Sequence, residues 1–338
     1  MHEEGFSPSL EELRSAIDEH LRELLAARAA RLPEAAPLID EIEGLVASGG
    51  KRLRPCFCYW GYRAGGGRHD ERIVAAASAL ELLHSFAIVH DDIMDTAEQR
   101  RGRPTVFATR GAGFALLVGD LALVLADDAY FHSGFDPSRL LHAFAAYSRM
   151  RQEVIAGQLL DSQAQSGPIS EEEARRIAVL KSGRYSVVEP LLIGAHLAGA
   201  DDDVVAGLER FGAPLGEAFQ LRDDLLGLFG DPSVTGKPAD SDIREGKRHL
   251  LYAKSVAALR GGDRDLFVEK WGAGSALSDQ DVATLRALVE SSGAAAQVED
   301  LLRALGDEAG RALAKAELDS ECGAALDALR LLSIWREK

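Results

Sequence analysis

Residues 84–105 read HSFAIVHDDIMDTAEQRRGRPT and carry the densest set of chemically useful side chains in the chain. Asp91 and Asp95 lie four apart, so a helix stacks them on one face about one turn apart. Like charges at that spacing repel by roughly 0.2–0.5 kcal/mol, and a cation between or beyond them removes the cost. Arg100 and Arg101 follow, with Gly102 and Pro104 breaking the helix behind them. Carboxylates for a hard cation beside arginines for an anion point to a metal-diphosphate site.

Other charged groups recur at helix ends and glycine-rich turns. Ser48-Gly49-Gly50-Lys51-Arg52-Leu53-Arg54-Pro55 sets three cations behind two glycines, a loop whose backbone can approach an anion closely. It reads equally well as a basic loop capping the helix that Pro55 begins. Lys181-Ser182-Gly183 sits in a helix disturbed by Gly183 and Pro190. It is either a lysine aimed into a cavity or a surface lysine on a kinked helix. Gln220-Leu221-Arg222-Asp223-Asp224 is a second aspartate pair at the polar end of an apolar helix. Gln158 and Asp161 lie three apart on another helix and face either water or a pocket. Asp127 and Asp128 lack a third acid and nearby arginines, so they read as a solvated terminus.

The elements that must position these groups follow from the apolar period. Leu10, Leu13, Ile17, Leu21, Leu24 and Leu25 give an amphipathic helix over residues 9–30, stopped by Pro33. A short helix follows over 37–47, and residues 64–68 make a glycine-rich turn. Residues 69–96 form a central, largely buried helix, and 111–131 another. Asp136 caps and Pro137 begins a helix to about residue 165. Ser170 and Glu173 make a capping box, and Asp201 caps a helix broken at Pro214. Residues 230–249 lack apolar period and hold Lys237 and Lys247 among glycines, as in a functional lid or a disordered segment. Residues 250–338 read as several amphipathic helices. No strand and no short tandem repeat is expected.

Composition bounds the function. The 338 residues are 46% hydrophobic and 27% charged, as in a soluble globular protein. A net charge of −16 argues against nucleic acid and anionic membrane surfaces as partners. An anionic substrate therefore needs a locally basic or metal-loaded pocket. Cys56, Cys58 and Cys322 form neither a disulfide framework nor a zinc spacing, which fits a reducing, cytoplasmic compartment. The acidic start MHEEGFSPSL is unlike a signal peptide. The apolar run over 73–89 contains Glu81 and His84 and suits a buried helix better than a membrane span.

Taken in order, the motifs resemble those of the trans-polyprenyl diphosphate synthases, all-helical enzymes that join isoprenoid diphosphates head to tail. The resemblance covers about residues 49–251. It rests on DDIMD followed by Arg100-Arg101-Gly102, the loop at Lys51 before them, and Lys181-Ser182, Gln220 to Asp224, Gly236-Lys237 and Gly246-Lys247 after them. It implies an all-α fold, a single large helical bundle of the class I isoprenoid synthase type with a central cavity, one domain over residues 1–338, and a homodimer. It implies magnesium, three ions per site with substrate bound, held by Asp91 and Asp95 from one side and Asp223 from the other. Arg100, Lys181, Ser182, Gln220, Lys237 and Lys247 would hold the allylic diphosphate, with Arg100, Lys181 and Lys237 acting on the leaving group. Lys51, Arg54, His84 and Arg101 would hold isopentenyl diphosphate, bound without metal. Asp92 and Asp224 would support the metal ligands from behind. One position departs from the family pattern: Gly227 stands where the second motif usually ends in a third aspartate, with Asp231 following in the loop.

The chemistry explains these residue types. Breaking the allylic C–O bond leaves a carbocation and a diphosphate, and cations stabilise the charge developing on oxygen. Apolar helix walls and a lid over residues 230–249 would exclude water. Chain length is expected to be set below Asp91, because Phe86 lies roughly 7.5 Å back along the helix axis. Hydrophobicity alone makes Phe86 ordinary core. A single aromatic there, the small Ala87 beside it and no insertion in DDIMD resemble the geranylgeranyl diphosphate synthases, which implies a C20 product. Farnesyl or longer-chain synthases are the neighbouring alternatives. A class I terpene cyclase would carry an Asn-Ser-Glu type second motif, and a non-catalytic partner subunit would have lost motif residues.

Overall fold

The computed structural model describes residues 8–100, 102–165, 167–230 and 240–335. Arg101, Asp231, Gly236 and Lys237, all singled out above, lie outside the described residues. So does most of the expected lid, residues 231–239. Helices carry nearly all of what is described, and the chain gathers into two compact units.

The first unit comprises residues up to Tyr147 together with Glu189–Leu208 and Glu317–Leu326. Helix α1, Leu10–Arg31, opens on a capping box between Ser9 and Glu12 and buries Leu13, Ile17, Leu21 and Leu25. Helices α2 (Ala36–Ala47) and α3 (Leu53–Ala64) follow. The central helix α4, Glu71–Met94, is capped by the Asp70 carboxylate, which accepts from the N–H groups of Arg72 and Ile73. Its first half is buried almost all round, as a helix apolar on every face must be. It is long and apolar enough to cross a membrane, but 78% of its apolar window is buried in the protein.

A two-residue hairpin follows, β1 (Gln99–Arg100) against β2 (Arg103–Pro104), with Gly102 at φ +70° in the turn. Sequence reading expects no strand here, because two residues are too few to show alternation. Helix α5 (Val106–Arg110) leads into α6 (Ala112–Phe131), which packs along α4. Asp128 near the end of α6 is not simply solvated. It accepts from Arg28 of α1, an interaction one hundred residues apart in sequence that no local pattern reveals.

The second unit comprises Ser148–Val188, Glu209–Ala316 and the residues from Asp327. Helix α7, Pro137–Ala164, begins at the expected proline and contributes its second half. Helix α8, Glu171–Ala178, starts on the expected capping box of Ser170 and Glu173 and runs into a π-helical stretch, Val179–Val188. The disturbance expected near Gly183 and Pro190 thus takes the form of a widened helix rather than a kink. Helix α9 (Glu189–Ala198) returns to the first unit.

Helix α10, Asp202–Phe229, runs straight through Pro214, where a break was expected. Pro214 removes a single rung of the ladder, and its neighbours Phe211, Leu215 and Ala218 are fully buried and hold the helix together. The end of the expected loop also differs: Ser241–Glu245 forms a short helix, α11, anchored by the fully buried Ile243. Helices α12 (Leu250–Ala258), α13 (Gly261–Lys270), α14 (Asp279–Ser291), α15 (Ala294–Lys315) and α16 (Ser320–Ile334) complete the described chain.

Candidate active site

In the first unit, the C-terminal end of α4 carries Asp91 and Asp92, with Asp95 as the C-cap. Asp91 and Asp95 are half-buried, while Asp92 is buried. The backbone then turns sharply. Thr96 adopts φ +50°, and the Ala97 N–H donates to the Asp92 carbonyl. A non-glycine residue at positive φ is strained, and here the strain lets the hairpin fold back on the helix end. Arg100 thereby returns to the motif. Its Nε donates to Asp92 Oδ1 at 2.7 Å, and its Nη2 reaches Asp91 Oδ2 at 3.4 Å. Burial alone would lower the Arg100 pKa, but the facing charges of Asp92 and Asp91 more than offset it and leave it raised.

Upstream on α4, His84 and Asp91 are two turns apart and share the face of Asp95. Phe86 is half-buried, and its ring meets that of His90 edge-on, with centroids 4.8 Å apart. His90 in turn lies 3.2 Å from the Leu116 carbonyl of α6. Ala87 is half-buried on the next residue.

The basic loop divides its three cations by role. Arg52 sits in the left-handed region, φ +49°, and is buried. It donates to Asp18 at 2.6 Å, to Glu81 of α4 at 2.7 Å and to the Val46 carbonyl at 2.5 Å. That arginine pins the loop to α1 and α4 and is committed to structure. Lys51 and Arg54, the two for which the family resemblance implies a substrate role, are half-buried on either side of it. The glutamate partner was visible only as an odd acid in an apolar run.

In the second unit, Lys181 and Lys247 converge on one carboxylate. Lys181 Nζ lies 2.6 Å from Asp161 Oδ2 and Lys247 Nζ 3.7 Å from it. Asp161, left open between water and pocket in sequence, is buried. Ser182 is buried beside Lys181. Gly183 of the π-helix and Gly216 of α10 touch backbone to backbone, so a Cβ at either would overlap the other. Two glycines at one crossing bring the lysine-bearing stretch against α10.

The second aspartate pair lies one helical turn beyond Gln220. Asp223 is half-buried and Asp224 buried, and Gln220 Nε2 donates to Asp224 Oδ1 at 2.7 Å. Burial pushes the Asp224 carboxyl up to about 6, against the opposing pull of His249 and of the Gln220 hydrogen bond. Arg222 takes no part: it donates to the Ile334 carbonyl at 2.6 Å and to Glu299, and ties down α16. Asp242 and His249 also belong to this cluster, with the Asp242 carboxylate lying over Gly227. Sequence reading missed both, although they lie in the same SDIREGKRH stretch as Lys247.

The chemistry of these carboxylates suits a hard cation. Asp91 and Asp95 in the first unit, and Asp223 in the second, offer oxygen ligands only. No group of three or more acids, histidines or cysteines among the described residues is arranged to hold an ion unaided. Magnesium keeps several waters and takes its remaining ligands from substrate phosphates, so one or two carboxylates fit it better than a closed cage.

Comparison with known proteins agrees with these features. The polyprenyl synthetase family matches residues 36–302. A (2E,6E)-farnesyl diphosphate synthase of Mycobacterium bovis is 34% identical over 294 residues, 86% of this chain and 79% of its own. A geranylgeranyl diphosphate synthase of Sulfolobus acidocaldarius is 37% identical over 244 residues, covering 70% of this chain and 72% of that protein. The crystal structure of a geranylgeranyl pyrophosphate synthase from Corynebacterium glutamicum, complexed with isoprenyl diphosphate and magnesium, superimposes with a TM-score of 0.94. It is 31% identical and covers 98% of this chain and 100% of that one. The chain belongs to the polyprenyl synthetase family, with its all-α fold, and is a prenyltransferase of the head-to-tail type.

Proposed function

We propose that this enzyme extends allylic diphosphates with isopentenyl diphosphate and releases mainly geranylgeranyl diphosphate. The observation that carries the reading is the end of α4, where Asp91 and Asp95 lie half-buried on one helix face and Arg100 folds back onto Asp92 and Asp91. Asp91, Asp95 and Asp223 are the magnesium ligands of this reading, which takes residues 1–338 as one domain. Magnesium, when bound with substrate in three ions per site, neutralises the charge that develops on the leaving diphosphate.

The side chains do the rest. Arg100, Lys181, Ser182, Gln220, Lys237 and Lys247 orient the allylic diphosphate, and Asp161 holds Lys181 and Lys247 ready for it. Lys51, Arg54, His84 and Arg101 hold the second diphosphate, with Arg52 fixing their loop. The allylic C–O bond breaks with its electron pair on the diphosphate oxygen, and the double bond of isopentenyl diphosphate attacks the cation. The departing diphosphate then takes the proton that restores a double bond. Phe86, braced by His90, stops the growing tail.

Three free, buried cysteines suit a reducing, cytoplasmic setting. A homodimer is supported by Leu117, Val124 and Phe131, which repeat every seventh residue on one face of α6 with 54%, 61% and 46% exposure. Mass analysis of dephosphorylated products from dimethylallyl, geranyl and farnesyl starters tests the reading: C20 is expected from each. In Phe86→Ala, products longer than C20 are expected, and an unchanged distribution would remove Phe86 from the stop.

A further inference from the structure

We infer that Asp242 supplies, from the separate short helix α11, the carboxylate that the second aspartate motif lacks at position 227. This inference rests on the reading of Asp223 as a magnesium ligand.

It begins from an oddity in α10. Gly227 lies inside a helix, where glycine costs roughly 0.5–1 kcal/mol relative to alanine. It needs no unusual backbone angle, since it is not among the positive-φ glycines. What it provides is room. A Cβ built there would overlap the Asp242 carboxylate, which is the nearest group. The space an aspartate side chain at 227 would take is therefore filled by an aspartate from elsewhere in the chain.

Asp242 is delivered firmly. Beside it Ile243 is fully buried, and the Ile243 carbonyl accepts from the Gly272 N–H at 2.9 Å. Arg244 donates to the Leu277 carbonyl at 2.7 Å and to Asp240 at 2.5 Å. The helix ends at Gly246 with φ +74°, and the Lys247 N–H donates to the Asp242 carbonyl at 2.9 Å.

A second observation marks this cluster as more than packing. The His249 side chain is nine-tenths buried, with its Nε2 3.9 Å from Asp242 Oδ2. Neither ring nitrogen has a hydrogen-bond partner among the described residues. A buried polar group without a partner is costly, and this one is aimed at the acids. Asp242 is thus a positioning residue: it keeps negative charge beside Asp224, the chain neighbour of Asp223, and pairs with His249 there. Its effect on an ion bound at Asp223 is indirect, of the kind that orients and tunes a ligand from behind.

The test is to move the carboxylate. Calorimetric titration of the full-length protein with magnesium, in the presence of inorganic diphosphate, reads ion affinity without turnover. Thermal midpoints report folding in parallel. Asp242→Asn keeps the shape and is expected to weaken magnesium binding about tenfold or more. Gly227→Asp combined with Asp242→Gly returns the charge to the motif and is expected to recover affinity above that of Asp242→Asn. Asp242→Glu is expected to retain most of the parent's affinity. A purely structural Asp242 would shift the thermal midpoint and leave ion affinity alone, and that result overturns the inference. So does a folded double variant that binds no better than Asp242→Asn. A parent that binds no magnesium with diphosphate removes the reading of Asp223 and this inference together, whereas a binding parent with an unaffected Asp242→Asn removes the inference alone.

Discussion

At the end of α4 the inner aspartate, Asp92, is buried against an arginine that the chain itself brings back. At the end of α10 the inner aspartate, Asp224, is also buried but meets a glutamine amide, a histidine with no hydrogen-bond partner among the described residues, and the neighbouring charge of Asp242. The two helix ends carry the same Asp-Asp pair, yet one is neutralised by a full cation and the other is not. Arg100 is fixed by a hairpin that begins only a few residues after the motif. Besides Gln220 of α10 itself, the groups around Asp224 come from residues 242 and 249, beyond the end of that helix. Burial of a paired charge and burial of an unpaired one have opposite consequences, so the two motifs should respond differently to the same substitutions.

The largest effect should come where the motifs are most alike. Asp91→Asn and Asp223→Asn each remove one half-buried carboxylate without changing side-chain size. Each is expected to lower kcat/KM by about two to three orders of magnitude, the scale of removing one group that stabilises charge in the transition state. Steady-state diphosphate release at saturating magnesium measures it. Equal losses would make the motifs partners in one site, and a loss confined to Asp91→Asn would break the parallel.

The motifs diverge when stability is measured. Arg100→Met leaves Asp92 buried without its cation, a change expected to cost about 3–5 kcal/mol in denaturant unfolding. Adding Asp92→Asn to it should recover much of that loss, because the stranded charge is then gone. If Arg100→Met unfolds like the parent, the pair is not what holds the hairpin to α4.

Both motifs could be read from sequence, but not the contrast between them, and what stayed hidden has a physical reason. Helix starts were legible where a local rule applied, as at Pro137 and at Ser170 with Glu173. The clustering of Asp91, Asp92, Asp95 and Arg100 was legible because the hairpin is short. Asp161 could not be decided from its spacing, since only the long-range approach of Lys181 and Lys247 fixes which way it faces. Arg52 looked like one of three equivalent cations until Glu81 and Asp18 claimed it. Pro214 was read as a break because propensity ignores the buried neighbours that carry the helix through it. Asp242 and His249 were invisible because their meaning lies in what packs over Gly227 and against Asp224, a property of packing and not of pattern.

The smallest and most diagnostic difference is a pH effect. Asp224 titrates near 3.8 in an unfolded chain and at about 6 when folded, chiefly because burial disfavours its charge. Below about pH 4 both states hold the proton and the residue is neutral in its effect. Between about 4 and 6 the unfolded chain gives up the proton while the folded one keeps it, so stability falls as pH rises. Above about 6 the penalty stays constant, on the order of 1–3 kcal/mol. Asp224→Asn is therefore expected to unfold at a higher temperature than the parent at pH 7, and to match it near pH 4, with chelator present throughout. Added magnesium should narrow the gap at pH 7 by stabilising the parent more than the variant, since ions favour the ionised cluster. An Asp224→Asn protein less stable than the parent at pH 7 without metal would mean that His249 already compensates the buried charge. The second motif would then be neutralised from within, as the first is by Arg100.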